Sequence, residues 1–188
     1  MEAIAALHNR VSQSALVAPA PAGAILDNIK RAALRAADHA MLRPWRFLVI
    51  EGEGLQRLGE LFVRAREARE GELSPRERER TLGRPLRAPL LIVVVAACRT
   101  NTKVPAVEQL LSAGAAMQNM LNAAYAEGVG AMWRTGDFAY DPVVKAGLGV
   151  AETEHIIGFL YLGTASEQRP RTPPPDPAQF FVSWGNDR

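Results

Sequence analysis

The sequence is short of cysteine, histidine and long apolar runs, and each shortage removes a class of function. One cysteine, Cys98, stands among 188 residues. A disulfide within the chain is therefore excluded, and a cysteine-based metal site lacks ligands. A lone thiol suits a reducing compartment. Cys98 closes an apolar run and reads as a buried small hydrophobe. The three histidines, His8, His39 and His155, lie far apart, with no second histidine or paired carboxylate at helical spacing, so no metal is expected. Charge of one sign is also scarce: 22 basic against 20 acidic residues leave +2, too little to indicate nucleic acid. The longest apolar run, Leu90 to Cys98, falls far short of the roughly 20 residues of a membrane span. Met1 to Ala6 carries Glu2 and no positive n-region, so it does not read as a signal peptide. The expected location is the cytoplasm, with neither membrane nor nucleic acid as partner. Gly-x-Ser-x-Gly, a P-loop, and Gly-x-Gly-x-x-Gly after a strand are all missing, which leaves hydrolase-triad and common dinucleotide-fold readings without support.

What is present is enough apolar residue for one packed domain, at 48% of the chain. Apolar spacing over Glu2–Asn9 predicts a helix. A second helix is predicted from near Pro21 to near Ala37, with Ile25, Ile29, Ala32, Ala33 and Ala36 on its apolar face. Asp38–Pro44 reads as a loop. Phe47–Ile50 reads as a buried strand, and Leu55–Glu70 as an amphipathic helix. The alternating Arg and Glu of 76–80 read as a solvated helix face or a lid. Pro89–Ala96 is the clearest strand, with a continuous β-branched run over Ile92–Val95, and is expected to be covered on both faces. Val107–Glu127 reads as a long core helix, apolar on too many sides for one domain to cover. Short strands at Ala131–Trp133 and Ile156–Leu162, and a helix over Asp141–Leu148, complete an α+β domain. It has about four strands in a central, mainly antiparallel sheet. Residues 164–188 form a Pro-rich arm ending in Phe180, Phe181 and Trp184. These aromatics either fold back on their own domain or reach across a partner. The whole chain, 1–188, reads as one domain.

The residues left for chemistry are cations and aromatics at the ends of elements: Arg10 and Ser12, Arg35, His39 and Arg43, Pro44-Trp45-Arg46, and Trp133-Arg134-Thr135-Gly136. Arginine forks pair with phosphate, hydroxyls add hydrogen bonds, and tryptophan supplies a flat wall, so the set suits a planar anionic ligand. Each residue also has a plainer reading. Arg10 and Arg35 fit helix C-terminal charges, His39 a loop hydrogen-bonder, and Trp45 and Trp133 core residues.

The order of these motifs resembles the nitroreductase family. The resemblance runs through Asn9-Arg10-x-Ser12, Arg35-Ala36-x-Asp38-His39, Arg43-Pro44-Trp45-Arg46-Phe47, Lys103-Val104-Pro105 and Glu108-Gln109. It continues in Ser112-Ala113-Gly114-Ala115, Trp133-Arg134-Thr135-Gly136 and Gly158–Gly163. It implies a nitroreductase-like fold, an intertwined homodimer, and non-covalent FMN between the subunits. Arg10, Val11 and Ser12 match the stretch that holds FMN phosphate and ribityl, with Val11 supplying only backbone or packing. Trp133, Arg134 and Thr135 match a second stretch on the same FMN. Arg35 and His39 match positions reaching the flavin from the other subunit, and Pro44 and Trp45 the loop beside its ring. Ala123, Ala124, Tyr125, Ala126, Glu127 and Gly128 match a segment associated with NAD(P). The family commonly carries two further arginines where this chain has Val11 and Ala15.

The resemblance further implies that NAD(P)H passes a hydride to the flavin. An electron-poor small molecule, such as a nitroaromatic or a quinone, then takes two electrons. The order is ping-pong because both substrates use one flavin face. No protein nucleophile is needed. Arg134 or Arg10 are candidates for positive charge near the flavin pyrimidine, and His39 or Arg43 for a hydrogen bond to the acceptor. A non-catalytic flavin carrier or sensor, and an interaction domain without FMN, are the alternatives on the same fold.

Overall fold

The computed structural model describes residues 2–100, 102–167 and 173–185. Residues 168–172 and 186–188 of the expected C-terminal arm, and Met1, lie outside the described residues. Strand β3 (Leu90–Ala96) is buried along its whole length. Its side chains alternate between faces, as extended backbone requires. Leu91, Val93 and Val95 enter one apolar cluster, and Leu90, Ile92 and Val94 the other. This strand is therefore the middle layer of a three-layer sandwich.

Around it lie β1 (Leu16–Val17), β2 (Trp45–Glu51), β4 (Gly130–Arg134) and β5 (His155–Ala165). β5 pairs with β3 along one side, and with β4 and then β1 along the other. β2 pairs with β3 at the far edge, and all these pairings are antiparallel. One core cluster joins the sheet to helices α3 (Glu53–Glu70) and α6 (Pro142–Gly147) through Leu58, Leu61, Phe62 and Val144. Phe62 stacks on Phe138 with ring centroids 4.0 Å apart. The other cluster joins the sheet to α2 (Gly23–Ala33) and α5 (Ala106–Ala126) through Ile29, Ala33, Met117, Met120 and Ala124. Helix α1 (Ala3–Asn9) packs on α5, and α4 (Pro75–Leu82) packs on α3.

Local signals set most of these boundaries. Ser74 caps α4 in a reciprocal box with Glu77, and Pro75 occupies the first turn. The charged stretch over 76–80 is thus a capped surface helix rather than a lid. Asp141 caps α6 by accepting from the Val143 and Val144 amides. α4 lies so close to α3 that a Cβ at Gly59 would sit 2.5 Å from the Leu82 carbonyl oxygen.

Four expectations need correction. The helix expected to reach Ala37 stops at Ala33, and Leu34–Ala36 form tight turns onto the Arg31–Ala33 carbonyls. The 47–50 strand was expected to be buried. β2 is instead half-buried, with Val49 exposed, because β3 covers only one of its edges. The sheet has five strands rather than four, since the two-residue β1 is too short to show a period. Cys98 is half-buried rather than buried, and burial pushes its thiol pKa up. Phe180, Phe181 and Trp184 do not fold back on the domain: Trp184 is 99% exposed. Among the described residues, no helix is long and apolar enough to cross a membrane.

The α3–α4 seam carries an acid-sensitive ion cluster. Arg66 and Arg69 both hydrogen-bond Glu70, and together they hold its carboxyl down at about 2. A carboxyl whose pKa is depressed on folding contributes stability above its ordinary value and loses that contribution as pH falls through the folded value. The Glu70→Gln variant is therefore expected to show a shallower fall in melting temperature between pH 4.5 and about 2 than the parent. An equal fall in both proteins would refute this assignment.

Candidate flavin site

Two groups of the expected site residues are assembled by different parts of the fold. The first lies along β4. The strap after α1 runs beside that strand, and the Gln13 amide donates to the Ala131 carbonyl at 2.9 Å. This brings the Arg10–Gln13 stretch to the β4 edge, and the Arg10 Nη1 donates to the Ser12 Oγ at 3.3 Å. Among the described residues no carboxylate pairs with Arg10. Val11 is half-buried between them.

Trp133 and Arg134 are neighbours in sequence, but the strand turns them to opposite faces. Trp133 packs with the α2/α5 cluster. The Arg134 guanidinium lies 5.5 Å from the Tyr161 ring centroid, on the α3 side. Trp133 fits because residue 158, beside it on β5, is glycine. A Cβ there would stand 2.8 Å from Trp133 Cδ1 and 2.9 Å from the Arg134 carbonyl oxygen.

The second group is the loop between α2 and β2. Leu34, Arg35, Ala36, Ala37, Asp38, Met41, Arg43 and Trp45 line an open groove of about 690 Å³. Ala40, Met41 and Arg43 all hold left-handed backbone, with φ of 59°, 52° and 50°. Each such non-glycine residue costs roughly 1–2 kcal/mol and persists only when its surroundings impose it. The restraints are visible. Asp38 Oδ2 accepts from the Arg43 amide at 2.7 Å, and the Ser112 hydroxyl donates to the Ala37 carbonyl at 2.6 Å. His39 Nδ1 lies 2.7 Å from Glu108 Oε2. The Asn119 amide donates to the Ala32 carbonyl at the start of the turn. Buried Gln109 fixes the neighbouring loop through the Arg99 amide and the Arg99 and Val104 carbonyls.

Helix α5 therefore clamps both loops along one polar stripe, and among the described residues Arg35 has no carboxylate partner. Ala40→Gly relieves this strain and is expected to stabilise the fold by about 1 kcal/mol. An unchanged or lowered melting temperature would contradict the strained geometry.

The sequence signalled Glu108, Gln109 and Ser112 only as parts of motifs. Their roles as clamps depend on the fold. Ala123–Gly128, expected beside NAD(P), form the end of α5 and the turn into β4. There Glu127 accepts from the Asn28 amide nitrogen at 2.7 Å and Ala124 is buried.

A family model described as the nitroreductase family matches residues 7–164, which takes in both groups. The chain belongs to the nitroreductase family. This nitroreductase-family chain is 44% identical over 183 residues to the "Putative NAD(P)H nitroreductase YdjA" of Escherichia coli K12, covering 97% of this chain and 99% of that one. The nitroreductase-like family protein from Bacillus cereus has the same fold, with a TM-score of 0.78 at 23% identity over 98% of this chain and 97% of the other. So does a nitroreductase from Bacteroides fragilis whose structure holds FMN, with a TM-score of 0.73 at 22% identity over 97% and 98%.

Proposed function

We propose that this nitroreductase-family protein is an NAD(P)H-dependent oxidoreductase that holds FMN non-covalently between two copies of the chain and reduces an electron-poor acceptor. The observation that carries the reading is the division of cationic groups into two separate half-sites. Arg10 with Ser12 lies beside β4, and Arg35 with Trp45 lies in the groove after α2. Neither arginine is neutralised by a carboxylate among the described residues, so both are available to an anionic ligand. The donor set fits FMN: a fork and a hydroxyl for the phosphate, and a flat apolar wall for a ring. The names of the similar proteins, and the FMN held by the Bacteroides fragilis nitroreductase, support the same cofactor and donor.

In this reading Arg10 and Ser12 bind the phosphate and ribityl chain, with Val11 packing between them. Trp133, Arg134 and Thr135 contribute the second stretch, Arg134 through its main chain because its side chain turns to the other face. Arg35 and His39 come from the partner copy, together with Pro44 and Trp45 beside the ring. Glu108 orients His39, and the strained 38–43 loop is a positioning device. Exposed Leu34, Met41, Val107 and Leu111 supply apolar surface for the second copy. Exposed Phe180, Phe181 and Trp184 cover apolar surface of that copy, and the domain itself is single. Ala123–Gly128 is the segment proposed to meet the nicotinamide donor.

FMN, when bound, supplies two-electron redox chemistry at its isoalloxazine ring. The chain's own share is to orient donor and acceptor, exclude water, and hold positive charge where negative charge accumulates. Donor and acceptor use one face in turn, so initial rates give parallel double-reciprocal lines. Converging lines would refute the ping-pong order. The acceptor is an electron-poor small molecule such as a nitroaromatic or quinone, met in the cytoplasm. Retained flavin with no oxidation of NADH or NADPH would instead favour a carrier or sensor.

A further inference from the structure

The α3 side of the sheet holds a second cationic pocket, on the face opposite Trp133. Its volume is about 340 Å³, and Arg84, Arg87 and Arg134 line it together with Phe138, Tyr161 and Thr135. This is within the size of small-molecule sites, at the lower end. Two arginines of the adjoining surface, Arg66 and Arg69, are neutralised. Arg66 pairs with Glu70 and Glu77, and Arg69 with Glu70, Asp137 and Asp141. Arg84, Arg87 and Arg134 have no carboxylate within ion-pair distance among the described residues.

Two of the three are braced by rings. The Arg84 guanidinium lies 5.0 Å from the Phe138 centroid, and that of Arg134 lies over Tyr161. Such stacking holds a planar cation in place while leaving its edge N–H groups free to donate. Tyr161 also donates its hydroxyl hydrogen to the Arg84 carbonyl at 3.2 Å, which fixes the segment carrying Arg84. The Arg134 Nε is buried and meets no acceptor among the described residues. An unsatisfied buried donor beside two further unpaired cations is costly unless something supplies acceptors. Burial, with the neighbouring charges of Arg87, Arg66 and Arg80, pushes the Arg84 pKa down. That is the state of a cation cluster lacking its counter-charge.

We propose that this pocket is an anion site for a diphosphate or phosphate ester, held by Arg84, Arg87 and Arg134 and separate from the flavin half-sites. Three convergent guanidiniums match an oxyanion group of two or more charges better than a single carboxylate. The ring faces are already occupied by arginine, so recognition is of the oxyanion.

The test is calorimetric titration of FMN-saturated protein with inorganic pyrophosphate at constant ionic strength, with FMN content measured independently by absorbance. One saturable site per chain is expected, weakened about tenfold or more in Arg84→Gln and in Arg87→Gln, with FMN content unchanged in both. Arg87 is exposed, so Arg87→Gln keeps the test open if Arg84→Gln fails to fold. Absence of saturable binding, or equal affinity in the parent and a folded variant, overturns the proposal. Binding seen only in FMN-free protein also overturns it, because the probe would then occupy the flavin phosphate site. Adenosine 5′-diphosphate as second titrant separates the sources: tighter binding than pyrophosphate marks an organic phosphate, and equal binding marks the oxyanion alone. If the protein proves to lack FMN, the comparison of the parent with Arg84→Gln and Arg87→Gln decides this site, since neither residue belongs to a flavin half-site.

Discussion

Arg10→Ala is expected to fold normally and to lose FMN. Arg10 carries the guanidinium at the β4 half-site, where its side chain donates to Ser12. It lies on the strap after α1 and takes no part in either apolar cluster, so its removal should leave the core intact. A charge-assisted bond to a phosphate contributes roughly 1.5–3 kcal/mol, and every 1.4 kcal/mol is tenfold in affinity. A fork making two such bonds therefore accounts for roughly a hundredfold or more. The chain has Val11 and Ala15 where the family commonly has arginine, so no neighbouring cation in this stretch takes over. Val11→Arg should act in the opposite sense and tighten FMN binding about tenfold. Flavin fluorescence on titration with FMN measures both. An Arg10→Ala protein that binds FMN like the parent would remove Arg10 from the site.

Gly158→Ala is expected to destabilise the sheet although it adds a single methyl group. β5 pairs with β3 on one side and β4 on the other, and Gly158 sits where Trp133 crosses. A Cβ at 158 meets both the indole, with Cδ1 at 2.8 Å, and the Arg134 carbonyl oxygen at 2.9 Å. The carbonyl belongs to the strand and moves only if β4 separates from β5. Overpacking of this kind costs about 1–3 kcal/mol. It also displaces Trp133, Arg134 and Thr135 together, so flavin affinity should fall with stability. Adding Trp133→Ala should recover part of the stability, since the backbone contact remains. A Gly158→Ala protein with the parent's melting temperature would contradict the close approach.

The long elements were legible because their periods are unbroken. Leu90–Ala96 and the helix from Ala106 repeat apolar residues over enough turns or pleats that no alternative buries them. What escaped depends on neighbours. The apolar run of β2 says nothing of its position at the sheet edge, and Ala36 continues the helical period of α2 although the chain has already turned. The site was legible as an inventory. Its geometry was not, for two physical reasons. Strand alternation sends Trp133 and Arg134 to opposite faces, dividing residues that the sequence places side by side. The clamps on the 38–43 loop come from Glu108 and Ser112, about 70 residues away, through contacts that only the packing of α5 creates. Left-handed φ at Ala40, Met41 and Arg43 is likewise imposed from outside, since none of these residues favours it.

The central claim is tested most directly by the visible absorption spectrum of the freshly purified protein, followed by NADPH added without air. A bound-flavin spectrum that bleaches on addition and returns with an electron-poor acceptor is the predicted result. A colourless protein that stays colourless after incubation with FMN and desalting would contradict the account.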